Sequence, residues 1–348
     1  MNTNQINYLN IGLMVLSCII AFIIPFELFL FSYAILGPLH YLTEISWLHK
    51  RQCFSPGKKD FLIMGVLALL ITIPNIMPYF YSMFGPKDTE GHLIVTEDIQ
   101  NMFVFTGRSV PALIFTAFAG SAVLLLTTNT VKRAVGFLLV AFVGYLFHDQ
   151  KFMFVTFSIF LPTLVHVFVF TGAFILVGAL KSRSRSGILS IVVFVACAAS
   201  LFLLFPNTIT TPGAYIMHTY DITFFNYSRQ LFDALLSRSA THDMVYNSSF
   251  GIMLARFIAF AYTYHYLNWF SKTSIIKWHQ VSKRSLLIIV FLWAVSLVLY
   301  FSNYMTGIMA LYFLSFLHVV FEFPLNLQSF KDIAREVRNR LVPAGKEA

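Results

Sequence analysis

Charged residues are scarce in this chain, and that scarcity excludes an ordinary soluble domain. Asp, Glu, Lys and Arg make up only 11% of the 348 residues, while hydrophobic residues make up 58%. A typical soluble domain is about a quarter charged and about half apolar. Apolar runs of about 20 residues, the length that crosses a bilayer as a helix, recur from one end of the sequence to the other. The composition therefore predicts an all-α, polytopic integral membrane helical bundle.

Cysteine pairs and several catalytic motifs are also missing. The three cysteines form no CxxC pair, so neither a disulfide framework nor a thiolate metal site is indicated. The sequence has no GxSxG elbow, HExxH helix, P-loop or Rossmann fingerprint. Serine hydrolase, zincin protease and nucleotide-driven mechanisms therefore lack support. No lysine lies deep in an apolar run, which argues against a retinal Schiff base.

Apolar runs bounded by charges or by Pro and Gly predict about ten transmembrane helices. With the amino terminus inside, the cytoplasmic segments hold 18 of the 24 Lys and Arg, in agreement with the positive-inside rule. Both ends are therefore predicted to be cytoplasmic. We predict one transmembrane domain over 1–326, an external segment over about 206–247 with an amphipathic helix around Ser228–Leu236, and a basic tail over 327–348. The predicted spans lie at about 8–24, 27–48, 61–84, 102–128, 134–148, 152–180, 187–205, 248–269, 285–303 and 305–324.

The formal net charge of +9 does not indicate a nucleic acid partner. The basic residues fall in short clusters between apolar runs, so we assign them to membrane orientation and to anionic headgroups. Arg108 and Arg256, near the starts of two spans, are expected to extend toward the interface. Trp47 and Trp269 are expected to belong to an interfacial aromatic belt. The predicted location is a bacterial inner (plasma) membrane, with the bilayer as partner.

Titratable side chains inside the apolar runs carry the chemical signal, because they are costly in a membrane and mark functional sites. His40 and Glu44 stand four residues apart in the second span and share one helical face. His318 and Glu322 repeat that spacing in the tenth span at nearly the same depth. The paired pattern predicts that both helices deliver an imidazole and a carboxylate to one layer of the membrane.

Further polar residues can join this layer. His265 and Asn268 end the eighth span at a similar depth, and His166 follows the helix-kinking Pro162 in the sixth span. We predict a metal site near the cytoplasmic leaflet with His40, His166, His265 and His318 as imidazole ligands. Glu44 and Glu322 are the predicted carboxylate ligands or bridge and, with Asn268 as a partner behind the ligands, the predicted catalytic residues. Tyr262 and Tyr266 share a face near His265 and can either orient an imidazole or belong to the belt.

Imidazole and carboxylate together suit iron, zinc or manganese. The pattern predicts a metal-dependent membrane enzyme, with non-haem iron as the cofactor, that oxidises a lipid-like or isoprenoid substrate and receives electrons from a donor. Two alternatives keep the same site: a zinc lipid hydrolase, and a bis-histidine haem protein. A third is a transporter in which Glu44 and Glu322 carry protons or cations. Interhelical hydrogen bonding without chemistry remains the structural alternative for each histidine.

Overall fold

The computed structural model describes residues 2–204, 211–272, 277 and 280–341. In this part of the chain there are thirteen helices and no strand, which confirms the predicted all-α class. The helices are α1 Thr3–Ile23, α2 Pro25–Lys50, α3 Asp60–Phe84, α4 Glu97–Leu126, α5 Thr130–Leu146, α6 Lys151–Ser182, α7 Arg185–Leu203, α8 Ala214–Thr223, α9 Phe225–Leu236, α10 His242–Asn247, α11 Ser249–Ser271, α12 Lys283–Ser302 and α13 Tyr304–Leu341.

Eight of these helices are long and apolar enough to cross a membrane, namely α1, α2, α3, α4, α6, α7, α12 and α13. The chain is therefore a multi-pass membrane protein. Helices also lie over the other two predicted spans, but α5 has only 17 residues and α11 carries several polar side chains. The polarity of α11 has a packing reason, because most of its residues are buried inside the protein and do not have to face lipid.

Contacts divide the chain into two compact units. Unit 1 comprises 1–43, 163–305 and 325–348. At its centre is α11, which packs against α1 and against the first part of α2, while α1 also packs along α7. Small and hydroxylated residues let these helices approach closely, as is common where helices meet in a membrane.

Unit 2 comprises 44–162 and 306–324, and its helices α3, α4 and α5 pack in sequence order. Gly144 on α5 lies against α4, where an added Cβ would be 3.2 Å from the Ala112 carbonyl oxygen. Asp60, at the start of α3, is buried and forms a salt bridge of 2.6 Å with Arg133 at the start of α5. Arg133 belongs to the basic clusters that the sequence assigns to membrane orientation and anionic headgroups, and in the structure it also joins two helix starts.

Two helices contain π-helical stretches. In α2 the stretch is Ser32–Leu36, directly before Gly37 and Pro38, and in α6 it is Phe154–Phe170, which includes Pro162. A proline has no N–H and its ring conflicts with the carbonyl four residues earlier. Wider i to i+5 turns accommodate such a break, and they are frequent at functional sites. Both stretches belong to helices that carry predicted histidine ligands.

The structure corrects two placements near the membrane interface. Arg256 does not extend outward: it is 1% exposed, its Nε donates to the Phe22 carbonyl oxygen at 3.2 Å, and its guanidinium lies over the Phe22 ring. It therefore binds the carboxyl end of α1, where carbonyls have no helical partner. Trp269 is 7% exposed and donates a hydrogen bond to Thr43, because interhelical packing offers its indole N–H a buried acceptor.

The segment over 206–247, which is predicted to be external, and the tail are partly described. The predicted amphipathic helix at Ser228–Leu236 is confirmed within α9, which buries Ser228, Leu231 and Phe232. Residues 206–210 of the segment and 342–348 of the tail lie outside the described residues. Helix α13 continues without a break from the tenth predicted span to Leu341, so the charged residues at 327–341 are helical. The domain division at 326 stays a prediction.

Candidate metal centre

Helix α2 is held against α11 at three levels around His40. Ser32 and Thr263 exchange a hydrogen bond of 2.7 Å between their hydroxyls, and Trp269 Nε1 donates to Thr43 Oγ1 at 2.9 Å. Between these levels, a Cβ on Gly37 would lie 3.3 Å from the Tyr266 hydroxyl, so the absence of a side chain there permits close packing. His40 lies within this contact and is 1% exposed.

His265 is the residue that α11 presents at this level. Its Nε2 lies 3.0 Å from Nε2 of His40, and the two imidazole rings are 4.6 Å apart between centroids. Its other ring nitrogen, Nδ1, lies 2.8 Å from the Thr171 hydroxyl. A partner on one ring nitrogen fixes the orientation of the ring and determines what the other nitrogen can bind. Thr171 therefore directs Nε2 of His265 toward His40.

His166 reaches the same group from α6. Its ring centroid is 4.9 Å from that of His265, and the side chain is 2% exposed. Thr171 follows five residues later on the same helix. Five residues are far from a whole number of turns in an α-helix, which has 3.6 residues per turn, but they approach one turn of a π-helix. The π-helical stretch that ends at Phe170 thus brings His166 and Thr171 to His265 from one side.

Three of the predicted ligands come together closely enough to hold a metal ion. Ligand nitrogens of His40, His265 and His318 all lie within 4.8 Å of one another, and all three residues are buried. Two nitrogens bound to one ion at about 2.1 Å can be at most about 4.2 Å apart. A spread of up to 4.8 Å is close to that limit, so the group could hold an ion if its nitrogens moved slightly closer together. His166 is not a member of this set, although its ring contacts His265.

The two predicted carboxylate ligands contact each other. Glu44 and Glu322, which are 2% and 3% exposed, are joined by a hydrogen bond between their side chains. One of two carboxyl groups must donate in such a bond, so the pair uses one proton. Each glutamate follows a histidine of the group by four residues, on α2 and α13 respectively. Their role as metal ligands stays a prediction.

Asn268 lies in a different hydrogen-bond network. Its Oδ1 accepts from the Tyr264 hydroxyl at 3.3 Å, and that hydroxyl also donates to Asn10 on α1 at 3.1 Å. Ser271 donates both to Asn10 and to the Asn268 carbonyl oxygen. These bonds join α11 to α1, which is a structural task. The catalytic role of Asn268 stays a prediction.

Sequence reasoning missed Thr171, Thr43 and the full role of Tyr266. Thr171 gives no signal, because a threonine in an apolar run usually bonds to its own helix and the five-residue spacing hides its relation to His166. The sequence left two roles open for Tyr266, orienting an imidazole or belonging to the aromatic belt. Its ring centroid lies 5.1 Å from that of His40, so Tyr266 lines the histidine group. His148, by contrast, lies outside this group and pairs with Asp149 at 3.1 Å at the surface.

Comparison of the chain with models of protein families, with curated proteins and with solved structures found no match.

Replacing Thr171 by valine is expected to weaken metal binding by about 10- to 100-fold, the usual effect of removing the partner of a liganding histidine. The change keeps the volume and removes the hydroxyl next to His265 Nδ1. A Thr171→Ser variant keeps the hydroxyl and should retain the affinity. The measurement is a metal titration together with the ligand-field spectrum of the cobalt-substituted protein, which reports the geometry of the ligands.

The matched control for this prediction is Thr116→Val, because Thr116 is also buried and, among the described residues, its hydroxyl bonds to the Ala112 carbonyl of its own helix alone. An equal loss of affinity in both valine variants would indicate a general packing defect and refute the assigned role of Thr171.

Proposed function

We propose that His40, His265 and His318 hold a divalent metal, iron, and that the protein is a membrane-embedded oxidoreductase. One observation carries the proposal: three buried imidazoles from three helices have their ligand nitrogens within 4.8 Å of one another. Polar groups placed in the apolar interior of a membrane protein are expensive and are typical of functional sites. A divalent cation stabilises three imidazole lone pairs at once, and imidazole is a ligand that suits iron and zinc.

The side chains around this group supply the remaining requirements. Thr171 orients His265, and His166 lies against it as a fourth imidazole. Under the proposal, Glu44 and Glu322 supply a carboxylate ligand or accept and return a proton. When bound, iron supplies the one-electron and dioxygen chemistry that no side chain provides. The buried surroundings keep water away from the reaction.

The proposed substrate is a lipid-like or isoprenoid compound. Such a compound is dissolved in the bilayer and can reach a buried site between helices without crossing water. An oxidation that uses dioxygen also needs an electron donor, and the proposal includes a separate redox partner in a bacterial inner membrane. The same three imidazoles with zinc would activate water for lipid hydrolysis instead, so the identity of the metal separates these two enzymes.

Elemental analysis of the full-length, detergent-purified protein, combined with dioxygen uptake, tests the proposal. Near-stoichiometric iron is expected in the wild type, with a sharp loss in Glu322→Gln, because the amide is a poorer ligand than a carboxylate. Glu336→Gln on the same helix is the matched control, since Glu336 lies beyond the apolar part of α13. Near-stoichiometric zinc would transfer the proposal to the hydrolase. Absence of any metal from the wild type would refute it.

One observation favours a second candidate, a proton- or cation-coupled transporter. Glu44 and Glu322 form a buried, hydrogen-bonded carboxyl pair, and such pairs occur on proton pathways in membranes. This function predicts proton-coupled flux in liposomes that Glu44→Gln abolishes while the metal content stays unchanged. The oxidoreductase proposal predicts the reverse, a change in metal content without ion flux.

A further inference from the structure

A cluster of arginines lies where α6 ends and α7 begins, outside the histidine group. Arg183 and Arg185 line an open cavity of about 660 Å³ and also a second one of about 220 Å³, to which Arg340 from α13 contributes. All of these residues belong to unit 1. Among the residues that the structure describes, no Asp or Glu lines either cavity, so these lining residues carry an uncompensated positive charge.

Nearby basic residues show how these arginines differ. Lys181 and Arg335 both pair with Asp332, at 2.5 Å and 2.8 Å. Among the described residues, no ion pair joins Arg183 or Arg185 to a carboxylate. Their side chains are exposed, so their guanidinium groups have free donors. An external anion is the group that would satisfy them.

Hydrogen bonds and close packing between the starts of α1 and α7 hold the wall of the larger cavity in place. Asn4 Oδ1 accepts from Ser186 Oγ at 2.8 Å, and Asn7 Nδ2 donates to the same serine at 2.9 Å. These bonds hold the start of α1 beside the start of α7. Gly187 completes the packing, because an added Cβ would lie 2.9 Å from Ala179. Two long helices thus begin at the cavity, and their N-terminal dipoles add to the positive potential made by the arginines.

We propose that this arginine pocket, lined by Arg183, Arg185 and Arg340, binds the phosphate of an anionic phospholipid. The planar fork of a guanidinium matches phosphate oxygens with two parallel hydrogen bonds. The pocket lies at the ends of membrane helices, where headgroups are found. Beside it, Ile188 and Leu189 on α7 are 41% and 44% exposed, which provides an apolar surface for acyl chains. This site is separate from the proposed metal centre and does not depend on it.

Native mass spectrometry of the full-length protein in detergent tests the pocket with three probes: phosphatidylglycerol, phosphatidylcholine and inorganic phosphate. The wild type is expected to bind phosphatidylglycerol more tightly than phosphatidylcholine. An Arg183→Gln/Arg185→Gln variant should lose about 30-fold in affinity for phosphatidylglycerol, from about 1 kcal/mol for each basic residue at a membrane surface.

A matched control is Lys283→Gln/Arg284→Gln, which removes the same charge from the start of α12, another helix of unit 1; its affinity should equal that of the wild type. Arg183→Lys/Arg185→Lys keeps the charge without the fork and should bind at an intermediate level, which gives a result even if the glutamine variant does not fold. A lysine variant that binds phosphatidylglycerol as tightly as the wild type would refute the proposed pocket. A folded glutamine variant with wild-type affinity would refute it as well. Tighter binding of inorganic phosphate than of phosphatidylglycerol would overturn the lipid assignment and leave a site for soluble phosphate.

Discussion

Replacing His40 and His318 together by alanine is expected to remove bound metal from the purified protein. The two residues are on different helices, and with His265 they form a set of ligand nitrogens within 4.8 Å. Each alanine deletes one of the three imidazoles of that set, and His265, even with a carboxylate from Glu44 or Glu322, is not expected to hold a divalent cation against water. The loss of two of three ligands is therefore the largest effect that any change in this chain should have on metal content, and elemental analysis measures it directly.

The control for this variant has to remove two histidines without touching the site. His92→Ala/His148→Ala meets that need, since their side chains are 74% and 29% exposed and pair with surface carboxylates. Metal content in this control should match the wild type. Unchanged metal in His40→Ala/His318→Ala would show that the ion, if present, binds elsewhere, whereas a loss in both double variants would point to impaired folding.

Replacing Asp60 by asparagine is expected to destabilise unit 2 by about 3–5 kcal/mol, the usual cost of removing one partner of a buried ion pair. Asp60 accepts bonds from both terminal nitrogens of Arg133, and also from the Ser55 hydroxyl and the Gly57 N–H. The change would leave the Arg133 guanidinium, whose side chain is only 13% exposed, without a balancing charge. Lys132→Gln is the matched control, because Lys132 is the exposed neighbour and should change little.

The reactivity of Cys53 provides a local measurement of the stability that unit 2 loses in Asp60→Asn. Its thiol is buried, and this burial raises its pKa to about 12, with a smaller contribution from the nearby Asp60 carboxylate. At neutral pH the thiolate fraction is therefore very small, and reaction with a water-soluble maleimide should be slow. Asp60→Asn should lower that pKa and open the loop, so labelling should become faster. Labelling at the wild-type rate, together with an unchanged unfolding temperature, would contradict the structural role of the pair.

Sequence reasoning could find the histidine group because its signal is local. The spacing of His40 from Glu44 is repeated by His318 and Glu322, and spacing on a helix determines the shared face. The depth of each residue in its apolar run then indicated a common layer. The cost of isolated polar groups in a membrane supplied the reason for expecting His265 to join them, and the structure brings the three imidazoles together.

Other features depend on contacts between residues far apart in the sequence. Arg133 meets Asp60 across 73 positions, and the hydropathy pattern treats both as ordinary boundary charges. Arg256 was expected at the interface, but the Phe22 carbonyl oxygen near the end of α1 gives its guanidinium a buried acceptor. Such partners become visible only when the packing of helices is known, so the sequence predicts where polar residues occur more reliably than what they bind.

In α6, the number of residues in the π-helical stretch determines the direction in which the His166 side chain points. Removing or adding one residue rotates everything beyond it by about 100° in an α-helix, and by a somewhat smaller angle in the wider turns of a π-helix. The stretch Phe154–Phe170 is built mainly from apolar residues that can replace one another with modest changes in volume, and such replacements leave the rotation intact. A single-residue insertion or deletion does not. The orientation of His166 and Thr171 is thus encoded in the length of this stretch more than in the identity of its side chains.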